Sequence, residues 1–449
     1  MNMAMEGRGR KLNRRDWPAF LNRLVPQGVW QSFSRDRISS DDPRVRWSRK
    51  FIVLAYVAMG WGTPRTLAGR FDEARQWVAD LYPSRRRPGD TYVGLTKAAA
   101  RHDVALFQSF WSRLRGSFPD RLKAAWREYG WILFAADGSR VDAPRTRSNE
   151  KGLGRSARDK SHPQWWMTWL VHLPTLLLWD WRQGPGNSSE REHMRQMRAA
   201  LPKNAMIIAD AGFGGFDFLN ELNQSGVSFL IRCAGNTTLK TDLATTRIER
   251  RGDVRYVYWW PENRRRRQPL KLRLIILKRG GRRAYLVTNV FDTDRLSRSM
   301  AGEFYELRWG IEVNYRDFKC TMDRSKVLAR TPDRGALELA GDIVAMGLLR
   351  FHAAILQLAR GAKVSVARVL NLLRKAMEHL RYAVSTDWLP PAIKKAITDD
   401  YRRKRSKASR DWPRKKRSRP PTPPKFRRLG KRDWCELHER LNRHAAGFG

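Results

Sequence analysis

From residue 131 onward the chain alternates short apolar runs with amphipathic stretches, and this rhythm restricts its fold more than any other feature. WILFAADGSRV (131–141) reads as a buried strand passing into a polar turn. WWMTWLVHL (165–173) and TLLLWDW (175–181) read as two more strands, parted by Pro174. The turn-rich QGPGNSS leads into SSEREHMRQMRAAL, an amphipathic helix with Ser188 or Ser189 as its N-cap. NAMIIADAGFGG (204–215) is a strand ending in Asp210 and glycines, FDFLNELNQSG a helix closed by glycine, and VSFLIRC a further strand. Strand, strand, strand, helix, strand, helix, strand predicts an α/β fold, a mixed sheet flanked by helices.

The flanking regions read differently. Residues 1–128 are expected to be helical, with WSRKFIVLAYVAMG strongly apolar and Thr63-Pro64 a helix start. A DNA-binding module and a plain packing domain fit that stretch equally well. A core domain is expected over 129–335. Within it, residues 236–295 (VRYVYWW, LKLRLIILK, RAYLVTNV) read as a β-rich insertion. Residues 336–400 are helical again, a candidate dimerisation region. Residues 401–449 form a basic, Pro-rich tail, expected to be flexible when free, that suits either phosphate backbone or solvent.

Charge narrows the class of partner. The 89 Lys and Arg outweigh 44 Asp and Glu, leaving +45, and such an excess is best neutralised by a polyanion, DNA or RNA before a membrane surface. No uninterrupted apolar run reaches the ~18 residues of a spanning helix, and the N-terminus lacks a signal-peptide core. Cys233, Cys320 and Cys435 have no metal-ligand spacing and suit a reducing, intracellular setting.

In so basic a chain, acids at strand ends stand out. Asp137 ends the first strand and Asp210 ends MIIAD. Singly, each also fits a turn or cap aspartate. Asp142 is expected beyond its strand, Asp180 as an ordinary strand or turn residue, and Asp217 in a helix's first turn. The stretch Tyr305–Lys319 then places Tyr305, Arg308, Glu312 and Lys319 at relative positions 0, 3, 7 and 14. On a continuous helix these fall within about 60° of one another, with Arg316 beside them. Phe304, Leu307, Ile311 and Phe318 form a separate apolar stripe. One acid among cations suits a site for phosphates and a metal, while an amphipathic helix with i,i+4 ion pairs gives the same pattern. Hard divalent ions take oxygen ligands, and phosphodiester chemistry is served by two of them ~3.5–4 Å apart.

Taken together, Tyr305-x2-Arg308-x3-Glu312-x6-Lys319, the ADGSRV block and the IIADAGFGGFDFLNEL block resemble a DDE transposase of bacterial insertion sequences. The likeness is to the subgroup with the Tyr-Arg-Glu-Lys helix motif, and it covers about residues 130–325. It implies an RNase H-like catalytic core with a β-rich insertion. It also implies two Mg²⁺ or Mn²⁺ ions held by catalytic Asp137, Asp210 and Glu312, with Tyr305, Arg308, Arg316 and Lys319 on DNA. Tyr285, in the insertion, is the positional candidate for stacking a displaced base, and a core tyrosine fits it as well. Many relatives carry Arg directly after the second aspartate where this chain has Ala211, so one local phosphate contact is expected to be missing. The implied partners are double-stranded DNA, both inverted-repeat ends and target, and a second copy of the chain in a synaptic complex. Cut-and-paste transposition through a hairpin intermediate, in a bacterial cytoplasm at the nucleoid and without a membrane, is the expected setting. An inactive DNA-binding repressor and a nuclease of the same fold are the alternatives.

Overall fold

The computed structural model describes residues 24–34, 46–81, 88–154, 162–261, 268–279, 282–381, 389–397 and 422–437. Helices α1 (Gln27–Ser34), α2 (Arg49–Trp61), α3 (Leu67–Leu81), α4 (Tyr92–Ala100) and α5 (Ala105–Arg115) come first. Every residue of α2 from Ile52 to Trp61 is buried, as expected of a helix that is apolar all round. Ser48 caps it by accepting from the Phe51 N–H.

The sheet then begins with β1 (Ile132–Asp142), α6 (Arg147–Leu153), β2 (Gln164–His172), β3 (Leu177–Pro185), α7 (Glu190–Met197), β4 (Ala205–Ala209), α8 (Phe216–Gln224) and β5 (Ser228–Arg232). The expected order of elements is found except for α6, a helix between the first two strands that was not expected, and Ser189 is the cap of α7. Strand β1 pairs antiparallel with β2 and parallel with β4, and β4 pairs parallel with β5. The central strands are apolar throughout because helices cover both faces.

The 236–295 stretch holds β6 (Thr238–Thr241), α9 (Thr245–Arg251), β7 (Asp253–Trp259), β8 (Leu270–Arg279) and β9 (Arg282–Thr288). It is not a detached unit. Strand β9 pairs with β5, so one sheet runs β10-β6-β7-β8-β9-β5-β4-β1-β2-β3. Its outer strand β10 (Lys425–Arg428) comes from the basic tail. The expectation of a flexible tail is corrected for residues 422–437. Backbone pairing with β6 and the Lys240–Asp433 ion pair (2.8 Å) hold them.

Helices α10 (Arg298–Leu307), α11 (Gly310–Arg316), α12 (Pro332–Arg360), α13 (Val366–Arg381) and α14 (Leu389–Lys394) follow. By length and composition α12 passes for a membrane span, which the sequence reading did not anticipate, but 83% of its most apolar stretch is buried. It packs against α2 so closely that a Cβ at Gly60 would lie 2.7 Å from that of Ala345. Its buried face is therefore spent inside the molecule, which removes it from the candidate dimer surface.

Candidate active site

Parallel pairing of β1 with β4 ends at Ala136↔Ala209, so Asp137 and Asp210 are the next residues on adjacent strands. Strand β4 stops there, whereas β1 runs on to Asp142, with Asp137 opposite Trp169 of β2. Asp137 thus sits where its neighbour ends, not at its own strand's end, and Asp142 is the last strand residue, not a turn residue. Each aspartate is oriented locally. Asp137 Oδ1 accepts from Gly138 N–H (2.9 Å) and Asp210 Oδ1 from Gly212 N–H (2.9 Å). Asp210 Oδ2 also meets Arg232 (3.3 Å).

Glu312 reaches this place on α11, which is pinned across β1. The Tyr315 hydroxyl donates to the Asp137 carbonyl (2.7 Å) and accepts from Trp169 N–H (3.2 Å), while its ring stacks on Trp169 at 4.5 Å. One turn later Lys319 Nζ donates to Ser139 Oγ (2.8 Å). At the other end Asn314 donates to Leu176 O (2.9 Å), and Gly310 leaves room for Leu176. The stretch is not one uniform helix. It is α10, a short junction at Arg308 and Trp309, α11, and a π turn over Asp317–Thr321. Phe304, Ile311 and Phe318 are buried as expected, but Leu307 is exposed.

The cations divide into buried and exposed. Arg308 is buried, donates to Glu312 Oε1 (3.4 Å) and lies 5.6 Å from the Tyr305 ring and 5.1 Å from that of Trp309. Tyr305 is half-buried, and burial raises its phenol above the usual range. Arg316 is exposed. Tyr285 is buried with its ring 5.9 Å from Phe426, so the core role holds and base stacking is not carried forward. Asp180 is an ion-pair partner of Arg115 and Arg182, and Asp217 lies in the first turn of α8.

The electrostatics tie the acids into one group. Burial pushes the Asp137 carboxyl up to about 6, and Asp210 and Glu312 push the same way against Gly138 N–H and Arg308. A fourth acid that sequence reasoning missed, Glu190 at the start of α7, is pushed up to about 7 by burial, with Asp137 and Asp210 adding to it. Among the described residues no three His, Cys, Asp or Glu side chains stand ready-made around an ion. The donor chemistry nevertheless fits a hard divalent cation. The cluster is all carboxylate, and Asp137 Oδ2 and Glu312 Oε2 accept no hydrogen bond among the described residues.

Residues 132–346 match the family described as Transposase DDE domain. The matched stretch takes in a little under half of the chain. Transposase InsG for insertion sequence element IS4 of Escherichia coli (strain K12) is 26% identical over 237 residues, which are 50% of this chain and 52% of that protein. The chain thus spans about half the length of this curated relative. A piggyBac transposase synaptic complex with hairpin DNA matches 86% of each chain at 10% identity and a TM-score of 0.44, too loose a likeness to inform the site. The DDE match begins at β1 and ends within α12, so it takes in both aspartates and Glu312.

Proposed function

We propose that the chain is a transposase of the Tyr-Arg-Glu-Lys subgroup that cuts at insertion-sequence ends and joins them to target DNA. One observation carries this reading: Asp137 and Asp210 are consecutive neighbours across β1 and β4, and the helix bearing Glu312 is fastened over them through Tyr315. The order β3-β2-β1-β4-β5, antiparallel on one side of β1 and parallel on the other, supports an RNase H-like core. Asp137, Asp210 and Glu312 would hold two Mg²⁺ or Mn²⁺ ions, whose contribution when bound is to activate the attacking oxygen and stabilise the leaving one. Arg308 keeps Glu312 oriented and brings positive charge to the phosphate track. Lys319, braced on Ser139, and the exposed Arg316 extend that track as point charge and fork. Tyr305 backs the Arg308 guanidinium. The helices of residues 1–128 would dock the inverted repeats, and two copies would hold two ends, released through a hairpin, in a synaptic complex.

The test is Glu312→Gln on inverted-repeat duplexes with Mg²⁺. Cleavage is expected to fall at least 10³-fold while end binding stays within about threefold. Cleavage at the wild-type rate would refute the role of Glu312. Wild-type cleavage without strand joining would replace the transposase reading by a nuclease, and tight end binding without any cleavage would leave a repressor.

A further inference from the structure

The first turn of α7 is docked onto the acidic centre by two consecutive residues. Arg191 donates to the carbonyls of Gly212 (3.0 Å) and Gly214 (2.7 Å), clasping the turn that follows Asp210. Glu190 reaches Gly212 as well, and Gly138 beside Asp137. A Cβ placed on Gly138 would lie 2.4 Å from Glu190 Oε1, and one on Gly212 would lie 3.5 Å from Oε2. The carboxylate therefore rests between the residue after Asp137 and the second residue after Asp210, where Gly138 leaves room both for it and for the Trp166 ring, 2.7 Å from such a Cβ. Its two nearest cations are engaged elsewhere, Arg191 on carbonyls and Arg140 over the Trp166 ring at 4.3 Å. Glu190 forms no hydrogen bond or ion pair among the described residues. An acid that merely complemented the start of α7 would need no site between the residues that follow two other carboxylates.

We propose that Glu190 is a fourth carboxylate of the catalytic centre, facing the divalent cations held by Asp137, Asp210 and Glu312. This rests on the metal-dependent reading given above. The role explains why a helix start 53 residues from Asp137 is fastened to the turn after Asp210, since the clasp by Arg191 fixes where the Glu190 carboxylate stands.

Mn²⁺ binding to the full chain, measured by titration calorimetry without DNA, tests it. Asp210→Asn is expected to weaken binding more than 100-fold, and Glu190→Gln about 10- to 100-fold with unchanged circular dichroism. Backbone cleavage by Fe²⁺-generated radicals in the unaltered protein gives a readout that needs no variant, and scission near residue 190 is expected beside that near 137 and 210. Wild-type Mn²⁺ affinity in Glu190→Gln, with Asp210→Asn impaired, overturns the assignment of Glu190 and leaves the three-acid centre standing. Scission at 137 and 210 but not near 190 does the same. Equal Mn²⁺ affinity in Asp210→Asn and wild type overturns the three-acid reading itself, and the Glu190 proposal with it.

Discussion

Single residues in this chain are decided by what surrounds them, and His172 shows how. It is fully buried, its ring stacked on Trp126 at 4.4 Å. Its Nε2–H donates to the Trp126 carbonyl (3.2 Å) and its Nδ1 accepts from Thr175 (2.7 Å), so both nitrogens are used by the neutral form. Burial lowers its pKa from 6.5 to about 4. Between those values the unfolded chain binds a proton that the native protein does not, so acid favours unfolding. The stability His172 contributes is complete above about pH 6.5 and is lost as the pH falls towards 4. It amounts to on the order of 3 kcal/mol. Urea titrations of wild type and His172→Gln at several pH values should show a difference in slope confined to that window. Parallel curves would exclude His172 as its source. Glu190 is the residue-scale lesson about legibility. An acid in the first turn of a helix is ordinary in sequence, and its meaning comes from Gly138 and Gly212, with which it shares no periodic pattern.

At the scale of elements, much of the arrangement could be read in advance. Strands β1 to β5 announce themselves because a sheet covered on both faces must be apolar throughout, and α7 and α8 because one stripe of each is apolar. Sequence placed Asp137 and Asp210 each after an apolar run, but their adjacency comes from the parallel register of β1 and β4, with Asp137 inside its strand. The junction after α10 and the π turn after α11 were not legible, since a helical wheel assumes one pitch throughout. Nor was β10, whose partner strand lies almost 190 residues earlier. The link between α11 and β1 is a hydroxyl, and it gives a direct prediction. Tyr315→Phe keeps the stack on Trp169 but leaves the Trp169 N–H and the Asp137 carbonyl unpaired in a buried place. A loss of about 1–3 kcal/mol is expected. Cleavage should drop by at least tenfold with end binding unchanged, because Glu312 is no longer held to register with Asp137. Unaltered cleavage with the stability loss present would show that Glu312 is positioned by other contacts.

For the molecule as a whole, the question is how a helical N-terminal region and the sheet-based region that follows it come to act as one body, given that a boundary near residue 128 was expected. Arg324, a few residues past the active-site helices, answers it. Its guanidinium donates to the carbonyls of Met59 (3.1 Å), Gly60 (2.9 Å) and Gly62 (2.8 Å) at the end of α2, and to Met322 and Asp323 in its own loop. Its Nε meets Asp342 of α12 (3.3 Å). Beside it Glu338 of α12 accepts from the N–H groups of Leu328 and Ala329 and lies 3.7 Å from Arg70 of α3. Burial raises both carboxyls, and Arg324 and Arg70 oppose that rise, so each charge depends on the others. Removing one member of such a buried set is far costlier than replacing the whole. Arg324→Ala is therefore expected to lose about 3–5 kcal/mol, because it strands Asp342 and the Gly60 and Gly62 carbonyls without donors, while Met59 O keeps the Gly62 N–H. Arg324→Ala with Asp342→Ala should recover part of that loss. Limited proteolysis should then find new cleavage between α2 and α3 and in the loop around Asp323, the two segments that Arg324 joins. A denaturation midpoint matching wild type in Arg324→Ala would mean that the contact of α2 with α12 alone fuses the two regions.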